Sequence, residues 1–160
     1  MIGVYDSKKI PLGDLLPQAE PMVLLTDYDT PSDEKSVDAY VSVSETSPFY
    51  EGALGGVPGC VALEYMAQAM ALCTGLYRRR RGLPPKLGFV LGSRRMTVGV
   101  PHFACGERYR VHAACTYFDE SFGSFDCAVF DASGAEVAKA QLTAFQPESD
   151  LTPEKLEEFQ

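Results

Sequence analysis

Between Gly59 and Tyr77 the chain reads GCVALEYMAQAMALCTGLY, nineteen residues with one carboxylate, Glu64. At roughly 3.6 residues per turn this predicts a helix of about five turns. Alanine, leucine and methionine, all good helix formers, dominate it. It is apolar nearly all round, so in a soluble protein it must be covered on most sides. The rest of the chain therefore has to wrap it. A carboxyl inside such a helix is costly to ionise. Held neutral near pH 7, it is a means of protonating a leaving group.

The wrapping material is limited. With 160 residues, 46% of them hydrophobic, the chain predicts one globular domain with a real core. Its net charge of −8 argues against nucleic acid as a partner, which needs a broad basic surface. The opening stretch MIGVYDSKKIPLGDLL lacks the apolar core of a signal peptide. Glu64 and Gln68 in the central run count against a membrane span. These features predict a soluble, cytoplasmic protein. The five cysteines form no C-x-x-C, so neither a disulfide framework nor a zinc site is expected.

Local patterns supply the elements. Pro11 to Leu16 predicts a helical turn that stops at Pro17, and the apolar run Met22 to Tyr28 predicts a buried strand. Val37 to Val43 alternates, with Val37, Ala39, Val41 and Val43 on one face. Ser44 to Pro58, rich in glycine and proline, reads as a loop before the helix. Four arginines, Arg78 to Arg81, close that helix, where its dipole favours positive charge, and Gly82 can stop it. Four strands follow: Leu87 to Val98, Arg108 to Phe118, Phe122 to Asp131 and Glu136 to Phe145. In the second, Tyr109, Val111, Ala113, Cys115 and Tyr117 share a face. Asp131-Ala132-Ser133-Gly134 joins the last two as a hairpin. A short helix is expected from Thr152, with Pro153 at its first position. The order predicts an α+β fold, an antiparallel sheet curled round one long helix, with a core from about residue 12 to 147 and a tail from 148 to 160.

Four tracts carry a resemblance: LLPQAEPMVLLTDY (Leu15–Tyr28), PFYEG (Pro48–Gly52), PGCVALEYMAQA (Pro58–Ala69) and LGFVLGSRRM (Leu87–Met96). In this order they resemble the hot-dog fold, and specifically the β-hydroxyacyl-acyl-carrier-protein dehydratases. PG-x4-E-x-MAQ is the specific part. EYMAQA and LGFVLGSRR are similar to a divergent branch encoded with aryl-polyene pathways. The resemblance implies a dimer in which a histidine of one subunit faces an acidic residue of the other. The acidic position maps onto Glu64. Gly59 maps onto the family glycine that begins the helix, and its amide would polarise the thioester carbonyl. The family histidine follows the glycine of F-x-G-H, and here that place reads Gly52-Ala53. A second histidine, from the family's early LPH tract, is replaced by Gln18. The only two histidines, His102 and His112, match neither position and read as surface or core residues.

Dehydration needs a base for the α-proton and an acid for the departing hydroxyl, and this chain carries one of the two. The resemblance therefore implies a half-site subunit paired with a histidine-bearing hot-dog partner, as hetero- or homodimer. Its substrate would be a 3-hydroxyacyl thioester of an acyl carrier protein or of CoA, in fatty-acid or polyene synthesis, with no cofactor or metal. The alternatives are a non-catalytic acyl-binding or scaffolding subunit and a hot-dog thioesterase. Gln68, one turn after Glu64, either holds its carboxyl or satisfies a polar core site. Cys60 at the helix start lacks a histidine base and reads as a small buried apolar residue beside the thioester. Arg78, Arg79, Arg80 and Arg81, with Arg94 and Arg95, are the basic clusters. They either dock an acidic carrier protein or balance the helix end and aid solubility.

Overall fold

In a computed structural model of the chain, residues 9–119 and 121–147 are described. The helix predicted from the apolar run is present. A 3-10 turn over Gly59–Val61 leads into α1, Ala62–Arg79. Length and composition alone would let Gly59–Arg79 cross a membrane, but 67% of its most apolar window is buried inside the fold. The covering is a six-stranded antiparallel sheet. It is built from β1 (Asp27–Tyr28), β2 (Ser36–Ser42), β4 (Phe89–Val98), β6 (Arg108–Phe118), β7 (Phe122–Phe130) and β8 (Glu136–Phe145), in the order β1-β2-β6-β7-β8-β4. β3 (Gly56–Pro58) and β5 (His102–Ala104) pair as a second small sheet beneath the helix start.

Alternation explains the layering. Val37, Ala39 and Val41 of β2, Tyr109, Val111 and Ala113 of β6, and Phe125, Cys127 and Val129 of β7 are all buried. They meet Tyr65, Met66, Ala69 and Leu72 of α1 in one core. Phe103 on β5 stands edge-on to both Tyr65 and Tyr109, with ring centroids 5.2 and 4.9 Å apart. The last hairpin closes as predicted. Asp131 Oδ1 accepts from the Ser133 and Ala135 amides at 2.9 and 3.0 Å, and Gly134 takes the left-handed conformation the turn requires, φ +85°.

Several expectations need correction. The 22–28 run is a strand only at Asp27–Tyr28, because the Leu24 N–H and the Met22 carbonyl bond to the Gln68 side chain instead of to a neighbouring strand. The predicted 44–58 loop contains β3, whose three residues are too few to alternate legibly. β5 has the same length and the same reason for escaping notice. The shared face of β6 ends at Cys115. A register shift between Cys115 and Tyr117 reverses the alternation, leaving Tyr117 58% exposed. The 3-10 turn before Pro17 spans Leu12–Asp14. The helix expected from Thr152 lies outside the described residues.

The strand β4 is different in kind. It pairs with β8 on one side, and among the described residues nothing pairs with its other edge. Phe89, Val90, Leu91 and Val98 on it are exposed. Arg95 sits at a register shift between Arg94 and Thr97 with φ +53°, an uncommon conformation for a residue with a side chain.

Candidate active site

The first turns of α1 present Glu64 half-buried. One turn on, Gln68 is fully buried, and its placement on the same helix face follows from the i, i+4 spacing. Gln68 Nε2 donates to Glu64 Oε1 at 2.8 Å and to the Met22 carbonyl at 2.6 Å, while its Oε1 accepts from the Leu24 N–H at 2.9 Å. The two sequence readings of Gln68 therefore hold together: it satisfies a core site and it orients the carboxyl. One carboxylate oxygen is engaged, and among the described residues no other hydrogen bond reaches the group.

Glu64 lines a cavity of about 180 Å³, with Gln18 on the opposing segment. Gln18 Oε1 is buried and has no hydrogen-bond partner among the described residues. A buried acceptor left unpaired costs about 1–3 kcal/mol, so a hydroxyl donor entering this cavity would be stabilised there. Ala67, Ala71 and Thr74 continue the wall along the helix, and Phe89, Phe118 and Phe125 face them. These lining residues were not singled out from sequence, although Glu64, Ala67, Ala71 and Thr74 recur at the helical spacing that would have found them.

Other sequence candidates lie apart. Gly59 is buried, and a Cβ there would meet the Val100 carbonyl oxygen. Its N–H already donates to the Pro101 carbonyl at 2.9 Å, which corrects its expected role as a free donor to a thioester. Cys60 is exposed, not buried as expected, and does not border Glu64's cavity. Gly52 and Ala53 are exposed on a turn outside the cavity of Glu64. His102 lies on β5 against Gly56. His112 lies on the outer face of the sheet, its Nδ1 2.9 Å from Asp38 Oδ1. Neither histidine reaches Glu64's cavity.

The basic clusters divide. Arg78 Nε donates to the Pro84 carbonyl, and Arg80 and Arg81 pair with Glu34 at 3.8 and 3.1 Å. Arg81 also stacks on Tyr77, 3.7 Å from its centroid. These three tie down the helix end. Arg79, Arg94 and Arg95 are exposed and have no ion-pair partner among the described residues. Burial pushes the Cys73 and Cys127 thiols up to about 12, which makes them packing groups and not nucleophiles. Among the described residues no cluster of three His, Cys, Asp or Glu side chains could hold a metal ion.

An antiparallel sheet wrapped on a buried helix, with an acid near the helix start, is the hot-dog architecture. The ApeP-like family model, described as ApeP dehydratase, matches residues 10–157, and the chain belongs to that family. A chain of the dehydratase heterocomplex ApeI:P from Xenorhabdus doucetiae superposes with a TM-score of 0.83 at 31% identity, over 95% of this chain and 98% of that one. More distant solved structures share the fold. A hypothetical thioesterase with coenzyme A from Streptococcus pneumoniae TIGR4 has a TM-score of 0.59 at 16% identity, over 80% of this chain and 91% of that one. The protein smu.793 from Streptococcus mutans UA159 bound to acetyl CoA has a TM-score of 0.57 at 20% identity, over 79% and 93%. No curated protein sequence matches the chain.

Proposed function

We propose that the chain is the acid-bearing half of a two-subunit dehydratase acting on 3-hydroxyacyl thioesters in fatty-acid or polyene synthesis. The observation that carries this reading is Glu64, aimed by Gln68 into a cavity that neither histidine of the chain lines. In the reaction, a histidine of the partner subunit removes the α-proton. Glu64 gives its proton to the β-hydroxyl, water leaves, and the electron pair of the broken C–H bond becomes the new carbon–carbon double bond. Gln18, whose carbonyl oxygen needs a donor, accepts a hydrogen bond from the same hydroxyl before it departs.

The partner is a second hot-dog subunit that keeps the F-x-G-H histidine; likeness to a chain of a dehydratase heterocomplex supports a second, different subunit. The long edge of β4, unpaired among the described residues, apolar and exposed, supports an interface there. The thioester carrier is an acyl carrier protein or CoA, and Arg79, Arg94 and Arg95 are exposed cations that an acidic carrier can meet.

The test is turnover of a 3-hydroxyacyl thioester, or hydration of the enoyl product, by the chain alone and with the histidine-bearing subunit. Activity is expected only in the mixture, and Glu64→Gln should lower it by about 10²- to 10⁴-fold. Strong activity of the lone chain, abolished by Glu64→Gln, would falsify the need for a partner. Full activity of a mixture carrying Glu64→Gln would make the chain an acyl-binding subunit without chemistry. Thiol release without dehydration would make it a thioesterase.

A further inference from the structure

Two cysteines that lie far apart in the sequence face one space in the fold. A cavity of about 320 Å³, which Glu64 does not line, is walled by Cys73 of α1 and Cys115 of β6 among others. α1 packs directly on β6. One short stretch of chain holds both cysteines. The Cys73 thiol donates to the Glu34 carbonyl at 3.9 Å, and the Lys35 carbonyl accepts the Cys115 N–H at 2.7 Å. Neighbouring peptide groups thus fix one cysteine each, and both residues end in the same wall.

The remaining cysteines are placed otherwise. The Cys127 thiol is turned to the Met66 carbonyl, at 3.9 Å, and does not line this cavity. Cys60 and Cys105 are exposed and lie outside it. Within the pair, access differs. Cys73 is buried, whereas Cys115 is half-buried where β6 breaks register. Thr116 has no partner on β7, and such a bulge lets the strand that carries Cys115 bend. Burial first, and the charge of a Cys115 thiolate second, push the Cys73 thiol up to about 12. That coupling agrees with the shared wall.

We propose that Cys73 and Cys115 are a reversible redox pair, a modification site for peroxide that latches the helix carrying Glu64 to the sheet. Cys115, the accessible member, reacts first. Its thiolate attacks one peroxide oxygen, the O–O bond breaks, hydroxide leaves, and the sulfur becomes a sulfenic acid. The Cys73 sulfur then attacks the Cys115 sulfur, the S–O bond breaks, and the oxygen departs as water with the Cys73 proton. Counting the proton first lost from Cys115, two thiols and one peroxide give one disulfide and two waters. Cys73 is inert to reagents in solvent and reacts only because an electrophilic sulfur is held beside it. Small thiols reopen the link by exchange. The pair needs neither substrate nor partner subunit, so it stands whether or not the chain belongs to a dehydratase.

The test exposes the full chain to hydrogen peroxide at about pH 9, where a useful thiolate fraction exists. Peptide mass spectrometry without reductant is run on the band that migrates as a single chain. The Cys73 and Cys115 peptides should appear joined, each short of one hydrogen, and dithiothreitol should part them. The linked chain should melt about 5 °C or more above the reduced one, because the bond ties α1 to β6. Cys115 oxidised to sulfinic acid with no linked peptide overturns the pair. So does a link from Cys115 to any other cysteine, or a Cys115 that stays reduced while Cys105 oxidises. A linked chain that melts below the reduced one overturns the latch, since the bond would then form only by parting helix from sheet. In Cys73→Ser the sulfenic acid has nothing to close on, and its trapping at Cys115 by dimedone should rise about tenfold or more. Equal trapping in a folded Cys73→Ser variant removes Cys73 from the reaction. The cross-link of the unaltered chain does not depend on that variant folding.

Discussion

Gln68 shows how one side chain joins packing to chemistry. Fully buried, it links the helix to main-chain atoms of Met22 and Leu24 and holds Glu64 with what remains of its amide. Gln68→Leu would keep the volume but strand the buried Leu24 N–H, at a cost of about 1–3 kcal/mol, and leave the part-buried Met22 carbonyl without its donor. A lower midpoint in chemical denaturation is expected, together with a fall in kcat larger than the change in KM as Glu64 loses its aim. Spacing alone placed Gln68 above Glu64. Its partners more than forty residues earlier could not be read from any local pattern, since they are backbone groups that every residue type shares. The same holds for Asp38, whose partners come from a strand seventy residues away. Burial works to raise its carboxyl, but hydrogen bonds from Arg110 at 2.7 Å and with His112 at 2.9 Å, and their charges, outweigh it and hold Asp38 below the usual range. A carboxyl lowered in the folded state stabilises above its unfolded pKa, and that contribution is lost as pH falls through the folded value. Asp38→Asn should therefore cost at most about 1 kcal/mol near pH 7, the pair being partly exposed and screened. The difference from the unaltered chain should shrink as pH falls below the ordinary aspartate range in a pH series of thermal melts.

At the scale of elements, α1 is fixed by close contacts as well as by apolar burial. A Cβ on Gly75 would run into the Leu15 carbonyl oxygen, so the helix and the 12–16 segment approach as closely as their backbones allow. Gly75→Ala should destabilise by about 1–3 kcal/mol, because a backbone atom and not a flexible side-chain end must yield. Equilibrium urea unfolding measures this, and a stabilised variant would contradict the close approach. The long helix was legible from an unbroken run of apolar helix formers, and β2 and β6 from a sustained period of two. The 22–28 run misled because an apolar stretch reports burial, not hydrogen-bond partners. The three-residue strands β3 and β5 carry too few alternations to register, and the irregularity beyond Cys115 has no signature in residue type. The acid was visible through its spacing from Pro58-Gly59, whereas the engagement of the Gly59 amide by Pro101 is a contact across forty-two positions that the motif does not encode.

Across the whole molecule, the sheet ends unequally. β1 contributes two residues at one margin, while β4 contributes ten at the other with its outer edge unpaired among the described residues. Leu91, 58% exposed on that edge, packs little within its own chain. Leu91→Lys should leave the fold of the lone chain intact, with a Tm change of no more than about 2 °C. It should weaken association with the histidine-bearing subunit by about tenfold or more, measured by sedimentation velocity. Unaltered association would move the interface elsewhere. The expectation of a histidine-bearing partner came from Gly52-Ala53, but the surface such a partner would use depends on which strand lies at the margin, and strand order follows from tertiary pairing.

The grip of Gln68 on positions 22 and 24 has an evolutionary corollary. Peptide groups, unlike side chains, survive substitution, so residue identity at those two places can drift without disturbing the acid's aim. Chain length there cannot: one residue inserted or deleted between Leu16 and Leu25 would present the wrong carbonyl and amide to the amide of Gln68. Homologous subunits that retain the acid should accordingly tolerate replacements in this stretch and refuse indels.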